Sequence, residues 1–361
     1  MANYNKRHIY LGGNTRKGFA GFYNQLSNID SCNLYILKGG PGTGKSTFIK
    51  KVISELDATD CMMDIIHCSG DPDSLDGVIC RDAGVIVIDG TSPHSVDPYC
   101  AGARDNIINL GDFWDCDRLR SYKHNIADLM FDKQVYYQRA YSYLAAAGNI
   151  YDDSNYIVRA STETEKINLF TLELTSEIFN GFAEQSVHGK DFAFFATAIT
   201  PAGYRGDIGN LVGDYKTYSI KTFYGINASA ILKTVRNKAL CCGLNTQSIY
   251  CGFDSDVLEH VIIPDIGVAV VTSNSYHAVD ATDSYYDYPL DGFLCEYSLY
   301  SAKDDLKYNN IRFDELLDRA MRALNRARIK HAEIEKIYIS AMDFESLNMY
   351  CDKVISEIIH G

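Results

Sequence analysis

Long apolar runs are missing from this chain of 361 residues, and none approaches the roughly 20 residues that a membrane-spanning helix needs. The first segment, Met1 to His8, also lacks the apolar core of a signal peptide. These absences predict a cytoplasmic protein without a membrane partner. The remaining composition, 46% hydrophobic and 22% charged residues, is typical of a globular chain with room for two domains of ordinary size.

Basic residues are scarce as well, because 34 lysines and arginines stand against 47 aspartates and glutamates, which gives a net charge of −13. Sequence-independent binding of DNA or RNA requires clustered lysine and arginine that neutralise phosphates. We therefore expect no nucleic-acid partner. The acidic balance leaves an unidentified protein partner open.

Zinc-type cysteine spacing is absent although the chain has eleven cysteines. No C-x-x-C occurs, the only close pair is Cys241-Cys242, and His67-Cys68 lacks a second pair of ligands. This pattern predicts reduced core thiols, as expected in a cytoplasmic protein.

A phosphate-binding loop is the most specific motif that is present. The apolar run 34–37 leads into a Gly-rich turn ending in Gly44-Lys45-Ser46, and a helical pattern follows. Glycines let backbone amides surround a polyphosphate, while Lys45 reaches the β- and γ-phosphates and Ser46 offers a hydroxyl to Mg²⁺. The predicted nucleotide-binding residues are Gly39, Gly40, Pro41, Gly42, Thr43, Gly44, Lys45, Ser46 and Thr47.

The next apolar run, 85–88, ends in Asp89 and matches a Walker B strand. Such an aspartate holds Mg²⁺ opposite the P-loop hydroxyl, so Ser46 and Asp89 are the predicted metal residues. Gly90 stands where many ATPases have a water-activating glutamate. Asp71, Asp97 or His94 would then orient the water, or hydrolysis is slow; the predicted catalytic residues are Lys45, Asp89 and Asp97.

The chain also contains an internal repeat. A shift of 183 residues places Tyr35 on Tyr218, and identities recur without a gap until Asp97 meets Asp280. All seven prolines lie within 41–98 or 201–289, so the stretches after each α/β region are free of proline and carry apolar residues at helical spacing. We therefore predict an α/β fold of two tandem P-loop NTPase-like domains, 1–185 and 186–361, each with an appended helical region.

The second copy has lost the groups that hold phosphate. In its loop, 222–229, Ala228 replaces Lys45, and Thr272 replaces Asp89 in the following strand. We expect a pseudo-site there. Four residues nevertheless recur in both copies, either to position water or substrate or because Asp-containing turns need them. They are Asp71, Asp73, His94 and Asp97, repeated as Asp254, Asp256, His277 and Asp280.

The motifs together resemble a family of bacterial tandem P-loop ATPases, over nearly the whole chain. The resemblance implies a duplicated P-loop fold and an ATP-binding first half. It does not imply a pathway. The degenerate loop of the second copy departs from the family pattern, so a second nucleotide site is not expected. The residues that carry it are Asn14-Thr15, Gly18-Phe19, 38–47, 71–78, 89–94, 107–111 and Thr200-Pro201.

The functional expectation is an adenine-nucleotide protein that uses ATP and Mg²⁺ as a hydrolase. ATP is favoured over GTP because the first P-loop is followed by no Asn-Lys-x-Asp segment. A phosphotransferase with a helical lid over 112–180 and an ATP-gated scaffold with little turnover are the alternatives. Arg16, Arg81 and Arg104 are candidates for an arginine finger by location.

Overall fold

The computed structural model of the chain describes residues 5–29, 31–222, 228–277, 279, 285–295 and 300–360. Within them the fold is α/β, with two mixed sheets of six strands each and helices packed against them. The α/β expectation is confirmed at this level. Most of the predicted degenerate loop, 223–227, lies outside the described residues, as does Asp280.

The first half supplies eight strands and four α-helices. The strands are β1 (Lys6–Ile9), β2 (Gly12–Thr15), β3 (Gly18–Gly21), β4 (Asn33–Lys38), β5 (Met63–His67), β6 (Leu75–Cys80), β7 (Val85–Asp89) and β8 (Asp105–Asn109). The helices are α1 (Lys45–Asp57), α2 (Cys116–Ser121), α3 (Lys123–Ala160) and α4 (Thr164–Ile178), with 3₁₀ turns at Tyr23–Asn28 and Leu110–Phe113.

The second half repeats this series among its described residues. The strands are β9 (Asp191–Phe195), β10 (Thr197–Thr200), β11 (Gly203–Gly206), β12 (Lys216–Lys221), β13 (Thr246–Tyr250), β14 (Leu258–Ile263), β15 (Val268–Ser273) and β16 (Tyr285–Pro289). The helices are α5 (Gly209–Val212), α6 (Ser229–Cys241), α7 (Lys303–Ser340) and α8 (Phe344–His360), with 3₁₀ turns at Pro264–Ile266 and Leu290–Phe293.

Both sheets have the same strand order. It is β1-β5-β6-β7-β4-β8 in the first sheet and β9-β13-β14-β15-β12-β16 in the second. In each, the third strand runs antiparallel to its neighbours and the other pairs are parallel. The shift of 183 residues carries β4, β5, β6 and β7 onto β12, β13, β14 and β15. The internal repeat of the sequence therefore corresponds to two sheets of one topology.

Residues from both sheets share one buried apolar core. Ile36 and Ile88 of the first sheet belong to the same cluster as Ile262 and Val271 of the second. Strands such as β7, whose apolar residues are β-branched at every position before Asp89, bury both faces, which is the pattern of a covered, largely parallel sheet. The two halves of the chain are consequently joined through their strands.

The helices that follow each sheet cover the opposite half. Leu174 of α4, from the first half, belongs to the core around Leu232 and Val235 of the second half. Leu347 of α8, from the second half, belongs to the core around Phe48 of the first. The division at 185/186 stays a prediction, and the structure adds that helices cross it in both directions.

A pair of 38-residue helices, α3 and α7, joins these exchanged elements. Trp114, before α3, pairs with Met342, after α7, while Thr162, after α3, pairs with Leu294, before α7. The C-terminus of each helix therefore lies at the N-terminus of the other, so the pair is antiparallel. The absence of proline from both stretches allows helices of this length.

The cysteine expectation holds only in part. The structure contains all eleven cysteines as free thiols, but only Cys32, Cys61, Cys80, Cys242 and Cys351 are buried. No helix in the described ranges is both long enough and apolar enough to cross a bilayer.

The helix exchange predicts a contrast between two leucines on α4. Leu174 is 2% exposed in the core of the second half, whereas Leu172 is 65% exposed. Leu174→Ala should destabilise the protein by about 2–5 kcal/mol, because it removes buried methyl groups and leaves a cavity, while Leu172→Ala should change it by about 0.5 kcal/mol or less. Urea midpoints measure both variants, and equal midpoints would contradict this placement of α4.

Candidate functional site

The Gly-rich loop connects the end of β4 to the start of α1. β4 lies between β7 and β8, parallel to both, so the loop emerges at the carboxyl edge of the sheet. Gly44 caps the helix with a φ of 85°, and Gly42 has a φ of 70°. A Cβ at Gly42 would also lie 2.9 Å from a side-chain carbon of Ile339. Glycine is therefore required at both positions.

Lys45 folds back onto the loop. Its Nζ donates to Gly39 O at 3.0 Å and to Gly40 O at 2.9 Å, and lies 3.7 Å from Asp89 Oδ2. The ammonium group is therefore held above the loop, with the amides at the start of α1 beside it. This arrangement suits an anion that binds at the helix N-terminus.

The two predicted metal residues lie on neighbouring elements. Asp89 ends β7 and pairs in register with Leu37 of β4, and its Oδ1 accepts from the amide and the hydroxyl of Thr91 at 2.9 and 2.6 Å. The Oγ of Ser46 accepts from the amide of Leu75 at 3.0 Å. A hydroxyl and a carboxylate are hard oxygen donors, the type of ligand that Mg²⁺ prefers.

A cavity of about 910 Å³ opens beside the loop. Gly39, the continuous stretch 41–47 and Asp89 line it. Gly40 does not line it. This glycine packs closely against Tyr338 instead, since a Cβ there would lie 2.8 Å from the tyrosine ring. Eight of the nine predicted nucleotide-binding residues thus face one cavity.

The opposite wall comes from the two long helices. Lys133 and Tyr137 of α3, and Arg328, His331 and Glu335 of α7, line the cavity. Sequence reasoning missed these residues because only the antiparallel pairing of α3 with α7 brings them to the loop. Their one local signal is that the three α7 residues, at i, i+3 and i+7, share a helix face.

The charges on this wall are perturbed by burial. Burial, Lys133 and Lys45 lower the pKa of His331 to about 4, so its imidazole is neutral near pH 7. Burial lowers the pKa of Lys133, and Glu335 partly offsets that effect. Burial and the Asp71 carboxylate raise the pKa of Glu335. A proton-accepting carboxylate therefore lies over a loop suited to phosphate.

The floor of the cavity holds a buried polar network. Tyr23 OH donates to Asp76 at 3.1 Å, and His94 Nε2 lies 3.5 Å from Asp76. Burial alone would lower the pKa of His94, but Asp76 and Asp89 outweigh it and raise that pKa. Of the groups considered for orienting water, His94 and Asp71 both line the cavity.

Asp97 is a different case. Its side chain is 85% exposed, and its carboxylate pairs with Lys38 at 3.2 Å, on the surface. It does not line the cavity. The structure therefore does not bring Asp97 to the loop, and we assign it no catalytic role.

The three arginines considered as fingers are engaged elsewhere. Arg16 pairs with Asp152 and Asp254, Arg81 pairs with Asp64 at 2.7 Å, and Arg104 pairs with Asp105 at 2.7 Å. None of the three lines the cavity. Arg328 does line the cavity; its Nη1 lies 3.7 Å from Asp71, and its buried Nε has no hydrogen-bond partner among the described residues.

Comparison with models of protein families gives no match, and comparisons with curated proteins and with solved structures give no significant match. The resemblance to tandem P-loop ATPases thus stays a prediction that rests on the residues quoted for it.

The low pKa of His331 predicts a pH-dependent contribution to stability. An unfolded histidine takes up a proton near pH 6.5, whereas folded His331 does so only near pH 4. The free energy of unfolding should therefore fall as the pH drops from about 6.5 to about 4, and His331→Gln should reduce this loss. Part of this loss should remain in the variant, because the pKa of His67 is also lowered to about 4.

The measurement is the urea midpoint across this pH range. His124→Gln, which changes an exposed histidine at the start of α3, is the matched control and should leave the slope unchanged. Identical slopes for wild type and His331→Gln would contradict the buried, neutral state of His331.

Proposed function

We propose that the chain is an ATP-binding protein and a Mg²⁺-dependent ATPase whose nucleotide site lies in the first half. The observation that carries this proposal is the loop after β4, with Lys45 Nζ at 3.0 and 2.9 Å from two loop carbonyls and 3.7 Å from Asp89. A lysine, an adjacent hydroxyl and a carboxylate at the end of the neighbouring parallel strand are the parts that P-loop enzymes use.

The residues have separate roles in this proposal. The amides at the start of α1 and the Lys45 ammonium bind the β- and γ-phosphates. Ser46 and Asp89 would hold Mg²⁺, which neutralises phosphate charge when bound. Glu335 and Asp71, which both line the cavity, are the carboxylates that can accept a proton from the attacking water.

Arg328 is the arginine that can reach the terminal phosphate. It lies on α7, lines the cavity and has an Nε that no hydrogen bond uses among the described residues. A guanidinium stabilises the charge that spreads over the phosphoryl oxygens during transfer. The second half of the chain would thereby supply, within one polypeptide, the cation that its own degenerate loop lacks.

A phosphotransferase is the second candidate, and the extent of the cavity favours it. Residues outside the loop, such as Asn14, Cys68 and Tyr141, also line this space of about 910 Å³, which is large enough for an acceptor molecule as well. Phosphate release from ATP·Mg²⁺ alone supports the hydrolase, whereas release or transfer only with an added acceptor supports the kinase. Binding without either reaction supports the ATP-gated scaffold.

Lys45→Ala should weaken ATP binding by about 2 kcal/mol or more, about 30-fold in Kd, because it removes the charged donor to the phosphates. It should also abolish phosphate release. The single tryptophan, Trp114, packs against Gly40 and gives a fluorescence signal for the titration, with calorimetry as the second readout.

The matched control for that variant is Lys51→Ala. Lys51 lies on the same helix but pairs with Asp352 at 2.8 Å, outside the cavity. It should bind ATP as the wild type does. Absence of ATP binding by the wild-type chain, or equal binding by Lys45→Ala, would overturn the proposed function.

Arg328→Ala should lower kcat for ATP hydrolysis by about 10³-fold while changing the Kd for ATP little, since an arginine finger acts mainly on the transition state. Arg326→Ala is the control, because Arg326 lies two residues away on α7 and stacks over Tyr136 at 5.9 Å instead. Equal kcat values for the two variants would exclude Arg328 from the reaction.

A further inference from the structure

Three buried side chains converge in the second half, at a place that the proposed nucleotide site does not use. Glu259 and His260 lie on β14, and His277 lies in the loop after β15. Their exposed fractions are 8%, 0% and 6%. His260 Nε2 lies 3.8 Å from Glu259 Oε2, and His277 Nδ1 lies 3.5 Å from Glu259 Oε1.

The two ring nitrogens that face the carboxylate lack hydrogen bonds. His260 Nε2 and His277 Nδ1 are buried and have no hydrogen-bond partner among the described residues. Buried polar atoms are nearly always paired, so two unpaired nitrogens around one buried carboxylate indicate a missing ligand. All three ligand atoms lie within 4.8 Å of one another.

Within the described ranges, the Glu259 carboxylate also lacks a basic partner of the usual kind. In the part of the chain that is described, no lysine or arginine forms an ion pair with Glu259. A buried carboxylate is costly without a counter-charge, and a bound cation at this place would supply one.

We propose that Glu259, His260 and His277 bind one Zn²⁺ ion. Two imidazoles and one carboxylate form a donor set that zinc accepts, with bonds of about 2.0–2.2 Å. Ligand atoms around such an ion lie about 3.3–3.5 Å apart. The distances from Glu259 to His277 and His260, 3.5 and 3.8 Å, are therefore close to the spacing of ligand atoms around zinc. The site contains no thiolate, which is why cysteine spacing gave no sign of it.

The hydrogen bonds of Thr272 favour metal binding by His277 and disfavour it by His260. Its Oγ1 lies 3.1 Å from His277 Nε2, which orients that ring and leaves Nδ1 for the ion. Its amide donates to His260 Nδ1 at 3.2 Å. Ligation through His260 Nε2 requires the proton on Nδ1, so this long hydrogen bond must break. The loss of one such bond is small compared with the free energy of structural zinc binding.

The described residues of the first half form no equivalent site, although two of the three positions match. Asp76 and His94 correspond to Glu259 and His277, but Gly77 stands at the position of His260. A Cβ at Gly77 would lie 2.5 Å from Val87 O, so a histidine does not fit there. Zinc binding is thus a property of the second half and is independent of the nucleotide loop.

The test uses the full chain after a chelator has removed metals. Titration with Zn²⁺, followed by calorimetry and elemental analysis after dialysis, should give one ion per chain. Glu259→Gln and His277→Gln should weaken the Kd by about 100-fold or more, because a change of even an outer-shell partner weakens it 10–100-fold. His94→Gln, the matched change in the first half, should keep the wild-type Kd.

Circular dichroism identifies any variant that fails to fold. Cobalt substitution of the wild type is then decisive by itself. Visible bands of a tetrahedral nitrogen and oxygen site support the proposal, and a thiolate charge-transfer band overturns it by placing the ion on cysteines. No stoichiometric zinc in the wild type, or equal zinc in folded Glu259→Gln, also overturns it.

Discussion

The reciprocal exchange of α4 and α8 is the constraint on which the rest of the structure depends. Each sheet is covered by a helix of its own half, α1 or α6, and that helix is covered in turn by a helix from the other half, α8 or α4. To reach those positions the chain must cross the molecule twice, which it does through α3 and α7. Burial of apolar surface, the largest favourable term in folding, therefore dictates where the long helices run.

The candidate site follows from this arrangement. Because α7 crosses the first half, Arg328, His331 and Glu335 come to lie over the Gly-rich loop. Gly42 approaches the carbonyl of Glu335, with an ideal Cβ at 3.1 Å, so loop and helix are packed directly on one another. A polyphosphate on this loop would contact groups from both halves. Neither half alone contains the complete wall of the cavity.

Much of this could be predicted from the sequence, and the remainder required long-range packing. The loop 39–47, the β7 carboxylate Asp89 and the internal repeat are local patterns, since strand, turn and helix signals lie within a few residues of one another. Arg328 could not be found in this way, because nothing near it in the sequence distinguishes it from Arg326. The exposed position of Asp97 could not be predicted in this way either, because it depends on how the segment after Asp89 turns outward to Lys38.

Two of the aspartates shared by both copies belong to a turn that each copy forms. Asp71 accepts from the amide of Asp73 at 3.4 Å, and Asp254 accepts from that of Asp256 at 3.2 Å, so both copies form the same turn. Each of these turns also meets an arginine that is distant in sequence, Arg328 in one half and Arg16 in the other.

The two arginines differ in what surrounds them. Arg16 is held by Asp152 as well as Asp254, and its guanidinium packs against Gly148. Arg328 faces the cavity, and its one ion pair with a described residue is the 3.7 Å contact with Asp71. The turn of the second half therefore meets an arginine that is fixed in place, whereas the turn of the first half meets one that faces the cavity lined by Lys45.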